Sequence, residues 1–70
     1  MKETVLKQAR AWGFICQKDT QETWEILPKQ PTERWKMKLV EDRWLLIVGN
    51  VPQINFYAHE AIAFLELRRS

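Results

Sequence analysis

The stretch ERWKMKLVEDRWLLIVG, residues 33–49, decides the fold, because large hydrophobic side chains recur at every second position on both sides of a polar pair. This period is typical of antiparallel strands that bury one face. A turn over residues 41–42 pairs Leu39 with Trp44 across a hairpin. The predicted buried face of this hairpin carries Trp35, Met37, Leu39, Trp44, Leu46 and Val48.

The opposite face of the hairpin combines basic and hydrophobic side chains. A slip of one residue in register would place lysines beside the tryptophans on the buried face, so the pattern itself selects this pairing. If no helix covers this face, Leu45 and Ile47 form a hydrophobic centre beside basic groups, as at many protein contact sites. A run such as WLLIV is equally typical of a strand covered on both faces. The predicted interaction surface consists of Lys36, Lys38, Val40, Arg43, Leu45 and Ile47.

Before the hairpin, the chain predicts one helix and two further strands. Hydrophobic residues at helical spacing indicate a helix over 3–12, and Gly13 follows where helices commonly end in a left-handed residue. FICQK (14–18) and TWEIL (23–27) are rich in β-branched and aromatic residues, which favours a first hairpin. PKQPTE (28–33), with two prolines among polar residues, is typical of a connecting loop.

After the hairpin, glycine and asparagine at 49–50 signal another turn. Residues 51–55 form either a short fifth strand or a loop, and Pro52, which lacks an amide hydrogen, confines such a strand to the sheet edge. A hydrophobic stripe with arginines at its end predicts a closing helix over 58–69. We therefore expect one α+β domain over residues 1–70. It has an N-terminal helix, an antiparallel meander of four strands with the short fifth left open, and a C-terminal helix, with both helices on one face.

Length and composition leave few chemical options. The 70 residues are 46% hydrophobic and 29% charged, with a net charge of +2, well short of the basic excess of typical nucleic-acid binders. A single cysteine excludes an internal disulfide, and a lone histidine beside it argues against structural zinc. No run has the ~18 apolar residues of a membrane span, and the N-terminus lacks the apolar core of a signal peptide. We expect a cytoplasmic protein without a metal or a cofactor.

Groups suited to catalysis are few. Cys16 and His59 are the one nucleophile and base that could form a pair, but Cys16 falls in a predicted strand, where a buried and inert thiol is usual. The carboxylates, Glu25 among them, fall in predicted turns or on solvated faces, without the apolar surroundings that raise a carboxylate pKa. The two glycines are too far apart for a phosphate-binding loop. We predict no catalytic residue, and an enzyme acting through Cys16 and His59 is the least supported function.

Binding of single-stranded nucleic acid is the alternative to protein contact. Its basis is a set of cations on one hairpin with interleaved tryptophans, which would combine phosphate neutralisation with stacking rings. The cations are Arg34, Lys36, Lys38 and Arg43. In the predicted register the tryptophan rings point away from the strand cations, so that charges and rings lie on opposite faces.

Three segments, AWGF (11–14), DRWLLIVGNVPQ (42–53) and EAIAFL (60–65), give the chain a resemblance to a group of small cyanobacterial proteins. The resemblance extends from about Ala9 to Arg68, and its motifs are structural in type. It implies a cytoplasmic, stand-alone α+β domain. Because the group has no established activity, it brings no catalytic residue and no cofactor. Together with the mixed sheet face, it favours a non-catalytic protein-interaction or accessory module, working alone or as a homodimer.

Overall fold

The chain forms a helix, then five strands of one antiparallel sheet, and then a second helix. The computed structural model describes residues 2–69. Its elements are α1 (Lys2–Ala11), β1 (Ile15–Lys18), β2 (Trp24–Leu27), β3 (Trp35–Val40), β4 (Arg43–Val48), β5 (Val51–Phe56) and α2 (Ala58–Arg68). Each strand is hydrogen-bonded to the next one in the chain, so the sheet is a meander. The predicted α+β class is confirmed.

The β3–β4 hairpin has the register that the sequence selects. Leu39 pairs with Trp44, and the turn begins at Glu41, whose φ is 58°. The next turn holds Gly49 and Asn50 at φ 57° and 68°, the left-handed pair that a two-residue type I′ turn requires. Both predicted turns are therefore confirmed, and they fix which side chains share a face.

The first hairpin is closed by a side chain rather than by a tight turn. Asp19 Oδ1 accepts hydrogen bonds from the backbone amides of Gln21 and Thr23, at 2.8 and 2.9 Å. Such a bond from an aspartate to a following amide orders a loop locally. The resulting register pairs Cys16 with Ile26, which places the thiol on the buried side of the sheet.

The fifth strand exists and is longer than the sequence suggested. β5 has six residues and forms the sheet edge beside β4. Leu46 pairs with Ile54 while Ile47 pairs with Pro52, so Gln53 is the extra residue of a bulge. At an edge the missing amide hydrogen of Pro52 is tolerated, which is why the proline did not end the strand. The expectation of four strands with a short fifth is corrected to five.

The core lies between the helices and the predicted buried face of the hairpin. Trp35 contacts Phe14 and Phe64 edge to face, with ring centroids 5.7 and 5.1 Å apart. These contacts join the segment that follows α1, the central strand β3 and α2 into one cluster. Its buried members are Val5, Leu6, Ala9, Phe14, Ile26, Trp35, Met37, Trp44, Leu46, Ala61 and Leu65. Both tryptophans of the opening stretch are core residues, as predicted.

The two helices run in the same direction across the sheet. Glu3 and Ala58, from the two N-termini, line one surface hollow with the β3–β4 turn, and we call this the turn end. At the other end, the guanidinium carbon of Arg69 lies 4.9 Å from the centre of the Trp12 ring, just beyond α1. We call this the loop end, because the loop over residues 28–34 lies there.

Candidate interaction surface

The six residues predicted as an interaction surface lie side by side on the sheet face opposite the core. They form three cross-strand pairs: Lys36 with Ile47, Lys38 with Leu45, and Val40 with Arg43. Val40 and Arg43 are exposed, and the other four are half-buried. The buried residues of α1 and α2 all belong to the core cluster on the other side, so neither described helix covers this surface. We call it the open face.

Two of the three cations on the open face are already engaged within the molecule. Lys38 Nζ lies 3.0 Å from Asp19 Oδ2. The Thr23 amide and the Lys38 ammonium lower the pKa of the Asp19 carboxyl, because both stabilise its charged form. Arg43 Nη2 donates to the Tyr57 hydroxyl at 2.9 Å, and its guanidinium carbon lies 3.9 Å from that ring's centre. Among residues 2–69, Lys36 is therefore the one cation of this surface without such a partner.

One carboxylate contradicts the expectation from sequence. The sequence predicts Glu25 in a turn or on a solvated face, but its side chain is buried, with 7% of its surface exposed. It lies on the open face between Gln17 and Lys38, and Gln17 Nε2 donates to its Oε1 at 3.1 Å. Long polar side chains on the neighbouring strands β1 and β3 shield the Glu25 side chain from water. This burial depends on how those strands align with β2, so the sequence of β2 alone does not predict it.

At the loop end, the open face continues into a groove of about 650 Å³. It brings hydrophobic side chains of β1, β2 and β4 together with basic side chains of β3 and the preceding loop. The pairing of Ile15 with Leu27 and of Lys36 with Ile47 aligns these residues across the sheet. We call this the loop-end groove, defined by Ile15, Leu27, Ile47, Lys29, Arg34 and Lys36.

The charge of the loop-end groove is strongly basic. Among residues 2–69, no acidic side chain forms an ion pair with Lys29, Arg34 or Lys36. Glu33 also lines the groove, but its Oε1 accepts the indole hydrogen of Trp35 at 2.9 Å. Lys29 Nζ lies 5.7 Å from the centre of the Phe14 ring. Three cations without an ion pair among the described residues thus flank hydrophobic side chains, beside a single, already bonded carboxylate. An apolar group carrying negative charge is the chemistry that this arrangement suits.

Sequence reasoning found part of this groove and missed the rest. Lys36 and Ile47 belonged to the predicted surface, whereas Ile15, Leu27 and Lys29 did not. Their membership depends on how β1 and β2 align with β3, and on where the 28–34 loop folds. Extending the alternation of the second hairpin to the first would have placed Ile15 and Leu27 on the open face. No sequence signal locates Lys29.

The two groups considered for catalysis have separate contacts. Cys16 Sγ lies 3.8 Å from the Leu6 carbonyl oxygen beneath α1. Burial raises the pKa of its thiol, with the positive charge of Arg10 acting in the opposite direction, so the reactive thiolate is disfavoured. His59 stacks on the Tyr57 ring with centroids 6.0 Å apart. The contacts of each group are those of ordinary packing.

The alternative of nucleic-acid binding loses two of its stacking rings. Trp35 and Trp44 are 6% and 1% exposed, so neither can receive a base without opening the core. Arg34 and Lys36 keep accessible charge, while Lys38 and Arg43 are engaged as described. That alternative stays a prediction based on charge.

Within residues 2–69, no group of three or more histidine, cysteine, aspartate or glutamate side chains is arranged to hold a metal ion. In the same part of the chain, no helix is long and apolar enough to cross a membrane. No family model, curated protein or solved structure matches the chain. Functional inference therefore depends on the geometry of the open face and its loop-end groove.

Proposed function

We propose that the protein is a non-catalytic interaction module that binds a protein partner through its open face. The observation that carries the proposal is the loop-end groove, where hydrophobic side chains meet cations that have no ion-pair partner among residues 2–69, on a sheet face that no described helix covers. Leu45 and Ile47 continue this surface towards the middle of the sheet.

The partial exposure of these hydrophobic side chains explains why binding of a partner would be favoured. The solvent face of an antiparallel sheet is usually polar. Here Ile15 is 45% exposed, and Ile47 and Leu27 keep part of their surface in water. Covering such apolar surface contributes roughly 25 cal/mol for each Å² removed from water. The neighbouring cations would add specificity for a partner of opposite charge rather than most of the affinity.

Affinity capture from the native cell tests the proposal with three proteins side by side. Ile47→Asp places a charge in the middle of the proposed contact. Leu67→Asp is the matched control, because Leu67 is 83% exposed on α2, away from the open face. We expect the wild type and Leu67→Asp to retain the same partner and Ile47→Asp to lose it.

Circular dichroism of each variant confirms that the fold is intact before capture is compared. Equal capture by all three proteins would contradict the proposal. So would a partner that is lost with Leu67→Asp and kept with Ile47→Asp, because the contact would then lie on α2.

A further inference from the structure

The two ends of the molecule carry opposite charge. Each helix has an acidic residue in its first turn, Glu3 or Glu60, and a basic residue in its last turn, Arg10 or Arg68, which suits the helix dipoles. The loops extend the same polarity along the sheet. The loop end carries five basic residues, Lys29, Arg34, Lys36, Arg68 and Arg69, against Glu33. The turn end carries four acidic residues, Glu3, Glu41, Asp42 and Glu60, against two basic ones, Lys2 and Arg43.

The β3–β4 turn is an exposed part of the acidic end. Val40, Glu41 and Asp42 are all exposed, and Val40 has 46% of its surface in water. No basic side chain among residues 2–69 forms an ion pair with either carboxylate. The turn therefore presents an apolar side chain followed by two carboxylates, the chemistry that the loop-end groove suits.

We propose that the loop-end groove receives the β3–β4 turn of a second copy of this chain. Glu41 and Asp42 of one molecule then meet the groove cations of the other, and Val40 packs against its hydrophobic lining. The inference rests on the proposed function, since the groove is the continuation of the open face at the loop end.

The groove cannot be filled by the turn of its own molecule. β3 runs from Lys36 in the groove to Val40 at the turn, and the rise of a strand places these ends on the order of 13 Å apart. Both belong to one rigid hairpin, so complementarity is satisfied only between molecules. A turn-to-groove contact can be reciprocal, with each molecule's turn in its partner's groove, which closes a symmetric dimer. Made only once between two molecules it is head to tail, and association then continues beyond the dimer or closes into a ring.

Sedimentation of the purified chain at several concentrations and salt levels tests this contact. Lys36→Glu reverses charge in the groove, and Asp42→Lys reverses it in the turn. Lys7→Glu, on the exposed side of α1, is the control with the same change in net charge as Lys36→Glu. We expect the wild type and Lys7→Glu to associate at low salt and to dissociate as salt rises, since screening weakens exposed charge pairs.

Each of the other two variants alone should associate at least about tenfold more weakly than the wild type, because attraction is replaced by repulsion at one end. Mixing Lys36→Glu with Asp42→Lys should restore association, since each variant keeps the end that the other has lost. Restoration by mixing also shows that both variants are folded.

A wild-type chain that stays monomeric at low salt and millimolar concentration would overturn this inference. Association that is unchanged by Lys36→Glu and Asp42→Lys would also overturn it, because a symmetric dimer through another surface would then be responsible. Either result leaves the capture experiment with Ile47→Asp as a separate test of the proposed function.

Discussion

Glu22 occupies a left-handed backbone conformation, with φ 65°, in the loop that joins β1 to β2. A side chain with a β-carbon is strained in this region, whereas glycine is not. Its ion pair with Lys18, at 3.7 Å between exposed side chains, contributes little in return. The residue is held there by the loop that Asp19 closes, in which the Glu22 amide donates to the Asp19 carbonyl oxygen at 3.0 Å.

Replacing Glu22 by glycine should therefore stabilise the protein. We expect Glu22→Gly to raise the free energy of unfolding by about 1 kcal/mol, measured by urea denaturation, because the strain is removed. Glu66→Gly is the matched control: the same substitution in exposed α2 should lower the free energy of unfolding by about 0.5–1 kcal/mol. Two changes of the same sign would contradict the explanation from backbone conformation.

At the scale of elements, the β1–β2 loop and β3 are joined through one carboxylate. Asp19 accepts two loop amides through Oδ1 and approaches Lys38 of β3 through Oδ2. The Thr23 amide and Lys38 lower the Asp19 pKa in the folded protein relative to the unfolded chain. The carboxylate thus holds the first hairpin in order and connects it to the second.

Acidification should remove this contribution. A depressed pKa stabilises the folded state above the unfolded pKa, near 3.9 for aspartate, and the contribution is lost as pH falls through the folded value. Asp19→Asn keeps the Oδ1 acceptor and loses the charge that faces Lys38. In urea denaturation from about pH 6 to 2, we expect the wild type to be more stable above about pH 5 and the two proteins to converge in acid.

The variant Asp42→Asn, measured in parallel, corrects for the general effect of removing one negative charge at the turn end. A constant difference between Asp19→Asn and the wild type across the whole pH range would show that the charge of Asp19 has no part in folding.

Elements with a strong local pattern were predictable, and those defined by their neighbours were not. The period of two from Trp35 to Val48 selected one register, and Gly13 correctly marked the end of α1. The sequence does not decide between a strand and a loop for β5, because Pro52 weakens a strand whose place at the edge is known only from the assembled sheet. The burial of Glu25 escaped prediction for the same reason, since side chains of β1 and β3 produce it.

At the scale of the whole molecule, the candidate site was half predictable. Alternation placed the basic residues and Leu45 and Ile47 together on one face, and the structure agrees. The loop-end groove depends on five segments that meet only in the folded chain. The difference in charge between the loop end and the turn end likewise depends on the shared direction of the two helices. That direction could not be predicted from the sequence. The alternation within the β3–β4 hairpin thus predicts the open face but not the loop-end groove.

A chain of 70 residues has one small core, so the loss of a single central side chain should be decisive. Met37 is fully buried in β3 and belongs to the single cluster that joins both helices to the sheet. Met37→Ala should cost about 2–5 kcal/mol, through lost transfer free energy and the cavity left behind. That is comparable with the whole stability of a domain near the lower end of about 5–15 kcal/mol.

In thermal denaturation we expect Met37→Ala to be largely unfolded near physiological temperature. Leu67→Ala, at an exposed position, should melt within a few degrees of the wild type. Similar melting of both variants would mean that α1, α2 and the sheet do not depend on one common core.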